Sequence, residues 1–226
     1  MRPRLLDLFC GAGGCSVGYC RAGFDVVGVD INPQPNYPYE FRQADALQYL
    51  DVYGDRYDVI HASPTCQSFA RVTDWRGSRD NHADLLTPTL GALAALDVPW
   101  VVENVEEAPI RADYLLCGTQ FGLPVRRHRK FQCGNWAAYE LIAPCGCQHL
   151  PLVPFMHKAE RSFADSMGCT WMTAKEGRQA IPPAYTEYIG RQLMAFLGLD
   201  SGTETTPAPA TNGPGVMELY PRGAHG

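Results

Sequence analysis

The chain has 226 residues, 46% of them hydrophobic, enough for one domain or one domain with a small annex and too many for a disordered chain. Lys and Arg number 19 against 24 Asp and Glu, and the net charge of −5 excludes a global positive field for nucleic acid or membrane, leaving only local patches. Gly 22 and Pro 18 argue for many loops rather than a bundle of long helices. No apolar stretch approaches the roughly 18 residues of a membrane span, and MRPRLLDLFCGAGG runs straight into a strand and a glycine turn, so neither a span nor a secretory signal is expected. Nine cysteines, an odd number scattered through core-like segments, fit an intracellular chain of free thiols.

In chain order, RLLDLF (4–9) is a strand ending at the glycine-rich CGAGG of 10–14. Ser16 to Ala22 carries a short helix stopped by Gly23, and DVVGVD (25–30) is a second buried strand with an acid at its end. A third short strand at 41–44 runs into Asp45, and a helix or turn follows at 46–53. YDVIHA (57–62) is the fourth strand, followed by SPTCQSF and a polar loop at 71–81. Leu85 to Leu96 is apolar enough for a crossover helix, with Pro88 either in its first turns or interrupting it, and WVVENV (100–105) is the fifth strand. Beyond 111 the pattern loosens through a basic run, RRHRK (126–130), and a Cys- and Pro-rich stretch to about 160. Helices at 160–167 and 185–198 close the pattern, and the Thr-, Pro- and Gly-rich residues 200–226 form a disordered tail. Strand, glycine turn, helix, strand, acid is the opening of a doubly wound α/β fold.

Ligands of such sheets bind beyond the C-terminal strand ends. Gly11, Gly13 and Gly14 permit a tight turn and close ligand approach, Asp30 can accept from ribose hydroxyls, and Asp45 can hold a donor on an adenine edge. The turn reads G-A-G-G-C-S and not G-x-G-x-x-G, which favours a single nucleoside cofactor over a dinucleotide. The alternative is a structural turn followed by strand-edge caps.

DLFCGAGG (7–14), GVDIN (28–32), SPTCQSFA (63–70), VVENV (101–105) and RRHRKF (126–131), in this order and spacing, resemble the DNA cytosine-5 methyltransferase family, and AIPPAYTEYIGRQ (181–193) resembles its C-terminal return helix. The resemblance implies a Rossmann-like S-adenosylmethionine-dependent methyltransferase fold, mostly parallel sheet with helices on both faces, in a compact phage-type member. It implies S-adenosyl-L-methionine as cofactor, held by Phe9, Gly11, Gly13, Gly14, Asp30, Ile31, Asp45 and Pro64. Cys66 matches the nucleophile, Glu103 and Asn104 the pair beside the target base, and Arg127 and Arg129 the arginine block. Gln67, Ser68, Arg71, Arg76, Arg79, Arg126 and Lys130 are the expected DNA contacts. Implied too are double-stranded DNA and a cognate restriction endonuclease as partners, a monomer, and the cytoplasm of a bacterium or phage-infected host.

This chain departs from the family pattern in four places. Thr65 replaces the usual Pro before the cysteine, Val125 stands at the glutamine position of the arginine block, and the Gly-Asn before the final helix is absent. Roughly 30 residues, where the family commonly has a hundred or more, separate the arginine block from Ser162. The expected division is therefore a catalytic core at 1–131, a short target-recognition or connecting region at 132–160, a return to the core at 161–199 and the tail at 200–226.

The residues themselves suit the chemistry. Carbon 5 of cytosine is a poor nucleophile until a thiolate adds at carbon 6, and a cysteine such as Cys66 suits that addition. Glu103, lifted toward neutrality by desolvation, can serve ring nitrogen 3, while Asn104 holds the loop around Cys66. Arg127 or Arg129 can grip the ring carbonyl oxygen where charge develops, although the basic run could equally serve phosphates. A duplex base must be flipped out to reach such a site. Two other readings remain: the same chemistry on RNA or another pyrimidine, and a non-catalytic DNA-binding regulator. Cys133, Cys145, Cys147 and His149 have a spacing that a small zinc site could use, but free thiols in an irregular loop are preferred, and Cys117 reads as a buried structural cysteine.

Overall fold

Four short, largely hydrophobic runs become neighbouring parallel strands because each is buried on both faces, the pattern of a sheet covered by helices on either side. The polar, mostly exposed EFRQ pairs beside them as an edge strand. The computed structural model describes residues 1–64, 84–137, 142–148, 152–153 and 160–199. Its sheet has seven strands in the order β3-β2-β1-β4-β5-β7-β6. They are β1 Arg4–Leu8, β2 Asp25–Asp30, β3 Glu40–Gln43, β4 Val59–Ala62, β5 Trp100–Val105, β6 Tyr114–Leu116 and β7 Arg129–Gly134. Each neighbouring pair from β3 to β5 is parallel, whereas β7 is antiparallel to both β5 and β6. The helices are α1 Gly14–Ala22, α2 Ala46–Tyr53, α3 Leu86–Ala94, α4 Glu160–Ser166, α5 Ala174–Gln179 and α6 Pro183–Phe196. This is the Rossmann-like methyltransferase architecture expected from the sequence.

Strand alternation divides the core. Leu5, Val26, Val59 and Val101 face α1 and α6, where Tyr19, Phe24, Tyr185, Ile189 and Leu193 meet them. Leu6, Leu8, Val27, Val29, Ile60 and Val102 face α2 and α3 through Ala46, Leu50, Leu86 and Leu93. On the first side α1 and α6 approach closely at glycines. A Cβ on Gly14 would lie 2.4 Å from the Ile181 carbonyl oxygen, and one on Gly18 2.1 Å from that of Pro183. A third apolar cluster, with Ala12, Val125, Phe163, Met167 and Met172, seats the 160–180 segment over the glycine turn.

The loosening read beyond 111 is corrected by the structure. Tyr114–Leu116 and Arg129–Gly134 are strands, so the basic run leads into the sheet and the sheet continues past residue 131. The short helix α5 also went unread. Pro88 sits in the first turn of α3, where a proline lacks no needed hydrogen bond. No helix among the described residues is long and apolar enough to cross a membrane.

Candidate active site

The strand order reverses direction between β1 and β4, and crossovers run outward on either side of this point. That arrangement opens a crevice beyond the C-terminal ends of the two strands. The C-terminal ends of β1, β2, β3 and β4 and the residues just beyond them carry Phe9–Gly14, Asp30–Ile31, Asp45 and Pro64 respectively.

At β1 the chain turns sharply. Phe9 has φ 58, Gly11 φ 49 and Gly13 φ 85, and Phe9 is one of only two non-glycine residues with positive φ among the described residues. A non-glycine residue held in that region marks a turn fixed by its surroundings. Here the Asp30 carboxylate fixes it, accepting from the Gly11 amide at 3.1 Å and from the Asn32 amide at 2.9 Å. Gly11 faces open space, whereas a Cβ on Gly13 would be 3.0 Å from the Tyr37 ring, and Gly14 serves the α1–α6 contact. Ile31 is 64% exposed, an apolar platform beside the crevice. Asp45 caps α2, its Oδ1 accepting from the amides of Leu47 and Gln48.

The second half of the site lies at the ends of β4 and β5. Arg129 Nε is 2.9 Å from Glu103 Oε1, and both side chains are largely withdrawn from solvent. Burial pushes the Glu103 carboxyl up from its ordinary range, against the opposing pull of Arg129, Arg127 and Ser63. Asn104 Nδ2 donates to the Pro64 carbonyl at 3.2 Å, and its Oδ1 accepts from the Val105 amide. Thus Asn104 anchors the chain two residues before Cys66. Cys66 itself, Gln67, Ser68, Arg71, Arg76 and Arg79 lie outside the described residues, as does His149.

Arg127 is buried, and its Nη2 donates to the Arg178 carbonyl at 3.0 Å while its guanidinium lies over the Phe163 ring. Its Nε has no partner among the described residues. Burial, with Arg129 beside it, lowers the guanidinium's hold on its proton. Lys130 Nζ donates to the Ala108 carbonyl at 3.2 Å, which leaves Arg126 as the exposed cation of the run. The sequence pattern does not distinguish these arginines; their burial and partners do.

The sequence reading missed a row of buried polar groups on the α1 side of the sheet. Asp7 pairs in register with His61, and both are fully buried. His61 Nδ1 is 3.0 Å from the Tyr19 hydroxyl and Nε2 is 2.9 Å from Ser63 Oγ, and burial lowers its pKa to about 3. A neutral imidazole therefore bridges Tyr19 to Ser63, which stands beside Glu103. Ser16 Oγ donates to Asp7 Oδ2 and accepts from Tyr37 Oη at 2.8 Å. A lone His within an apolar strand gives no sequence signal for this role.

Of the four residues whose spacing a zinc site could use, the Cys145 and Cys147 sulfurs lie 3.5 Å apart. Cys133 lies in the apolar core on β7, away from them. Cys117 and His128 take the remaining places around the two thiols.

Comparison with known proteins places this geometry. The profile described as C-5 cytosine-specific DNA methylase matches residues 3–109. The type II methyltransferase M.HgiGI of Herpetosiphon aurantiacus is 30% identical over 122 residues, covering 46% of this chain and 92% of that protein. The type II methyltransferase M.AplI of Arthrospira platensis is 26% identical over 217 residues, covering 83% of this chain. The chain spans 58% of the length of M.AplI, and 52% of M.HgiDI from Herpetosiphon aurantiacus, to which it is 27% identical. With the arrangement of its glycine turn, Glu103, Asn104 and arginine block, the chain belongs to the C-5 cytosine-specific DNA methylase family.

Proposed function

We propose that this chain transfers a methyl group to carbon 5 of cytosine in double-stranded DNA, with S-adenosyl-L-methionine as donor and Cys66 as nucleophile. The observation that carries the reading is the buried Glu103–Arg129 pair next to the Asn104–Pro64 hydrogen bond, at the C-terminal edge of the sheet.

The residues present fit the donor. Gly11 leaves open space, the Asp30 carboxylate stands at its amide, Asp45 follows the neighbouring strand β3, and exposed Ile31 offers an apolar surface to a flat ring. When bound, the donor supplies an electrophilic methyl group to carbon 5. The chain's own groups do the rest. The Cys66 thiolate forms a bond to carbon 6, and the ring electrons displaced make carbon 5 nucleophilic. Glu103 holds a proton at ring nitrogen 3, because its desolvated carboxyl retains one more readily than an exposed carboxyl does. Arg129, fixed by Glu103, presents positive charge where the ring oxygen gains electron density. A base then removes the proton on carbon 5, and the carbon 6–sulfur bond breaks to return the thiolate.

The base reaches this site flipped out of the duplex. Arg71, Arg76, Arg79 and Arg126 would meet phosphates, which add affinity without sequence information. Residues 132–160 offer few base-reading side chains, and each good bidentate contact is worth roughly 1–3 kcal/mol of discrimination. A recognition site of at most four base pairs follows.

Base-resolution methylation mapping of DNA from cells expressing the chain tests both statements. Modified cytosines within a site of four base pairs or fewer are expected. Absence of methylated cytosine, with methylation of RNA instead, would overturn the DNA assignment.

A further inference from the structure

Three sulfurs and one imidazole nitrogen converge at the end of β6. The ligand atoms of Cys117, His128, Cys145 and Cys147 all lie within 4.8 Å of one another. They come from three separate places: the residue after β6, the residue before β7, and the 142–148 segment. We propose that these four residues bind one zinc ion, which fastens the 142–148 segment to the arginine-bearing strand β7.

Distances between ligand atoms fit a tetrahedral ion. Zinc bonds of about 2.3 Å to sulfur and about 2.0–2.1 Å to nitrogen place ligand atoms roughly 3.6–3.8 Å apart in a tetrahedron. Cys145 Sγ is 3.5 Å from Cys147 Sγ, and His128 Nε2 is 3.4 Å and 3.6 Å from these two sulfurs. These three atoms are already at nearly the tetrahedral separations, and Cys117 Sγ lies within 4.8 Å of all of them.

The tautomer of His128 is set from outside the cluster. Its Nδ1 is 3.0 Å from Glu106 Oε2, and the carboxylate can only accept, so Nδ1 carries the proton. Nε2 is then a lone pair facing two sulfurs. One lone pair cannot serve two thiol hydrogens, but it can serve one cation that all the sulfurs share. A carboxylate behind the imidazole is also the usual support of a metal-bound histidine. The fourth ligand is supported likewise: Cys117 Sγ accepts from the Gln120 amide and lies 3.6 Å from Thr119 Oγ1, so donors already surround this sulfur.

On binding, the three thiols release their protons to solvent and the histidine enters neutral, giving a site of net charge −1. The sequence neighbours of His128 are Arg127 and Arg129, so a metal there fixes the backbone between both arginines. It would also give a short segment the anchor that its few apolar residues do not supply. This assignment stands apart from the methylation reading and does not need it.

Metal content of the purified full-length chain, handled under reducing conditions, provides the test. One zinc per chain is expected by elemental analysis and native mass spectrometry. After metal removal, cobalt(II) alone should restore one equivalent with the absorption of a tetrahedral, thiolate-bound ion. The double variant Cys145→Ser, Cys147→Ser should lose the metal, while Cys20→Ser should keep it. Because Glu106 is on the surface, Glu106→Gln is expected to fold, and its zinc affinity against a chromophoric chelator should fall about 10–100-fold. Wild-type chain that neither carries nor takes up zinc or cobalt would overturn the proposal, as would full stoichiometry in the double serine variant. Unchanged affinity in Glu106→Gln would overturn the carboxylate's part in supporting the site.

Discussion

Arg129 reaches diagonally across the β5–β7 pair to place its Nε 2.9 Å from Glu103 Oε1. The register sets Val105 opposite Arg129 and Phe131 opposite Glu103, so Glu103 and Arg129 share one face of the sheet. An acid that burial raises and an arginine restrains is suited to exchanging a proton with a ring nitrogen. Glu103→Gln keeps the shape and removes the proton. Single-turnover methylation should slow by a factor on the order of 10². Since the working form is the protonated acid and its pKa is raised, the wild-type rate should fall as pH rises through that raised value. The variant should lack this limb. An unchanged rate and pH profile would return Glu103 to a structural role.

Asn104 tests the anchoring of the segment that carries Cys66. In Asn104→Ala the buried Pro64 carbonyl loses its donor, at a cost of about 1–3 kcal/mol in unfolding free energy. Turnover should fall while cofactor affinity, built on the β1–β3 edge, stays within twofold. Loss of cofactor binding, measured by calorimetry, would contradict this division of the site.

The buried row behind the site makes stability depend on pH. Burial raises the Asp7 carboxyl from 3.8 to about 7, with Asp30 and Glu103 adding to the rise and Ser16 opposing it. A folded-state pKa above the unfolded one contributes stability that is complete below about pH 4 and is lost as pH rises through about 7. Asp7→Asn keeps an acceptor for Ser16 and has no charge to bury. The thermal midpoint of the variant minus that of the wild type should therefore climb between about pH 4 and 7 and level off above. A difference independent of pH would contradict the buried-acid account.

Two glycines in helices should respond oppositely to alanine. Gly18→Ala places a Cβ 2.1 Å from the Pro183 carbonyl oxygen and from Thr186 Oγ1, and overpacking of this kind costs roughly 1–3 kcal/mol or more. Gly91 in α3 is exposed with nothing within 4 Å of a new Cβ, so Gly91→Ala should stabilise by about 0.5–1 kcal/mol. Denaturant unfolding of both variants checks the α1–α6 contact. Equal effects would refute it.

Much of the fold was legible because four of the five parallel strands are buried on both faces and read as mostly apolar runs. Strand β7 was not, since RKFQCG begins in a basic run and alternates buried with half-buried positions. Helix α5 carried a readable signal: Thr173 and Glu176 form a capping box, but six residues are too few for a periodicity to show. In the site, Glu103 and Asn104 stood out at a strand end, whereas the Tyr19–His61–Ser63 chain depends on pairing across strands that spacing does not encode. The thiol cluster illustrates the same limit. Cys145 and Cys147 are adjacent in sequence, but Cys117 and His128 join them only because β6 and β7 are paired.

The central claim is covalent catalysis by Cys66, and trapping on a fluorinated base tests it most directly. Fluorine at carbon 5 of cytosine cannot leave as the proton does, so the carbon 6–sulfur bond persists after methyl transfer. Duplex DNA containing 5-fluorocytosine, incubated with S-adenosyl-L-methionine and the full chain, should yield a denaturation-resistant adduct whose peptide mass locates the link at Cys66. Cys66→Ser should give none while binding the cofactor as the wild type does. No adduct with the wild type, despite methylation of ordinary cytosine, or an adduct of equal yield in the serine variant, would contradict the account.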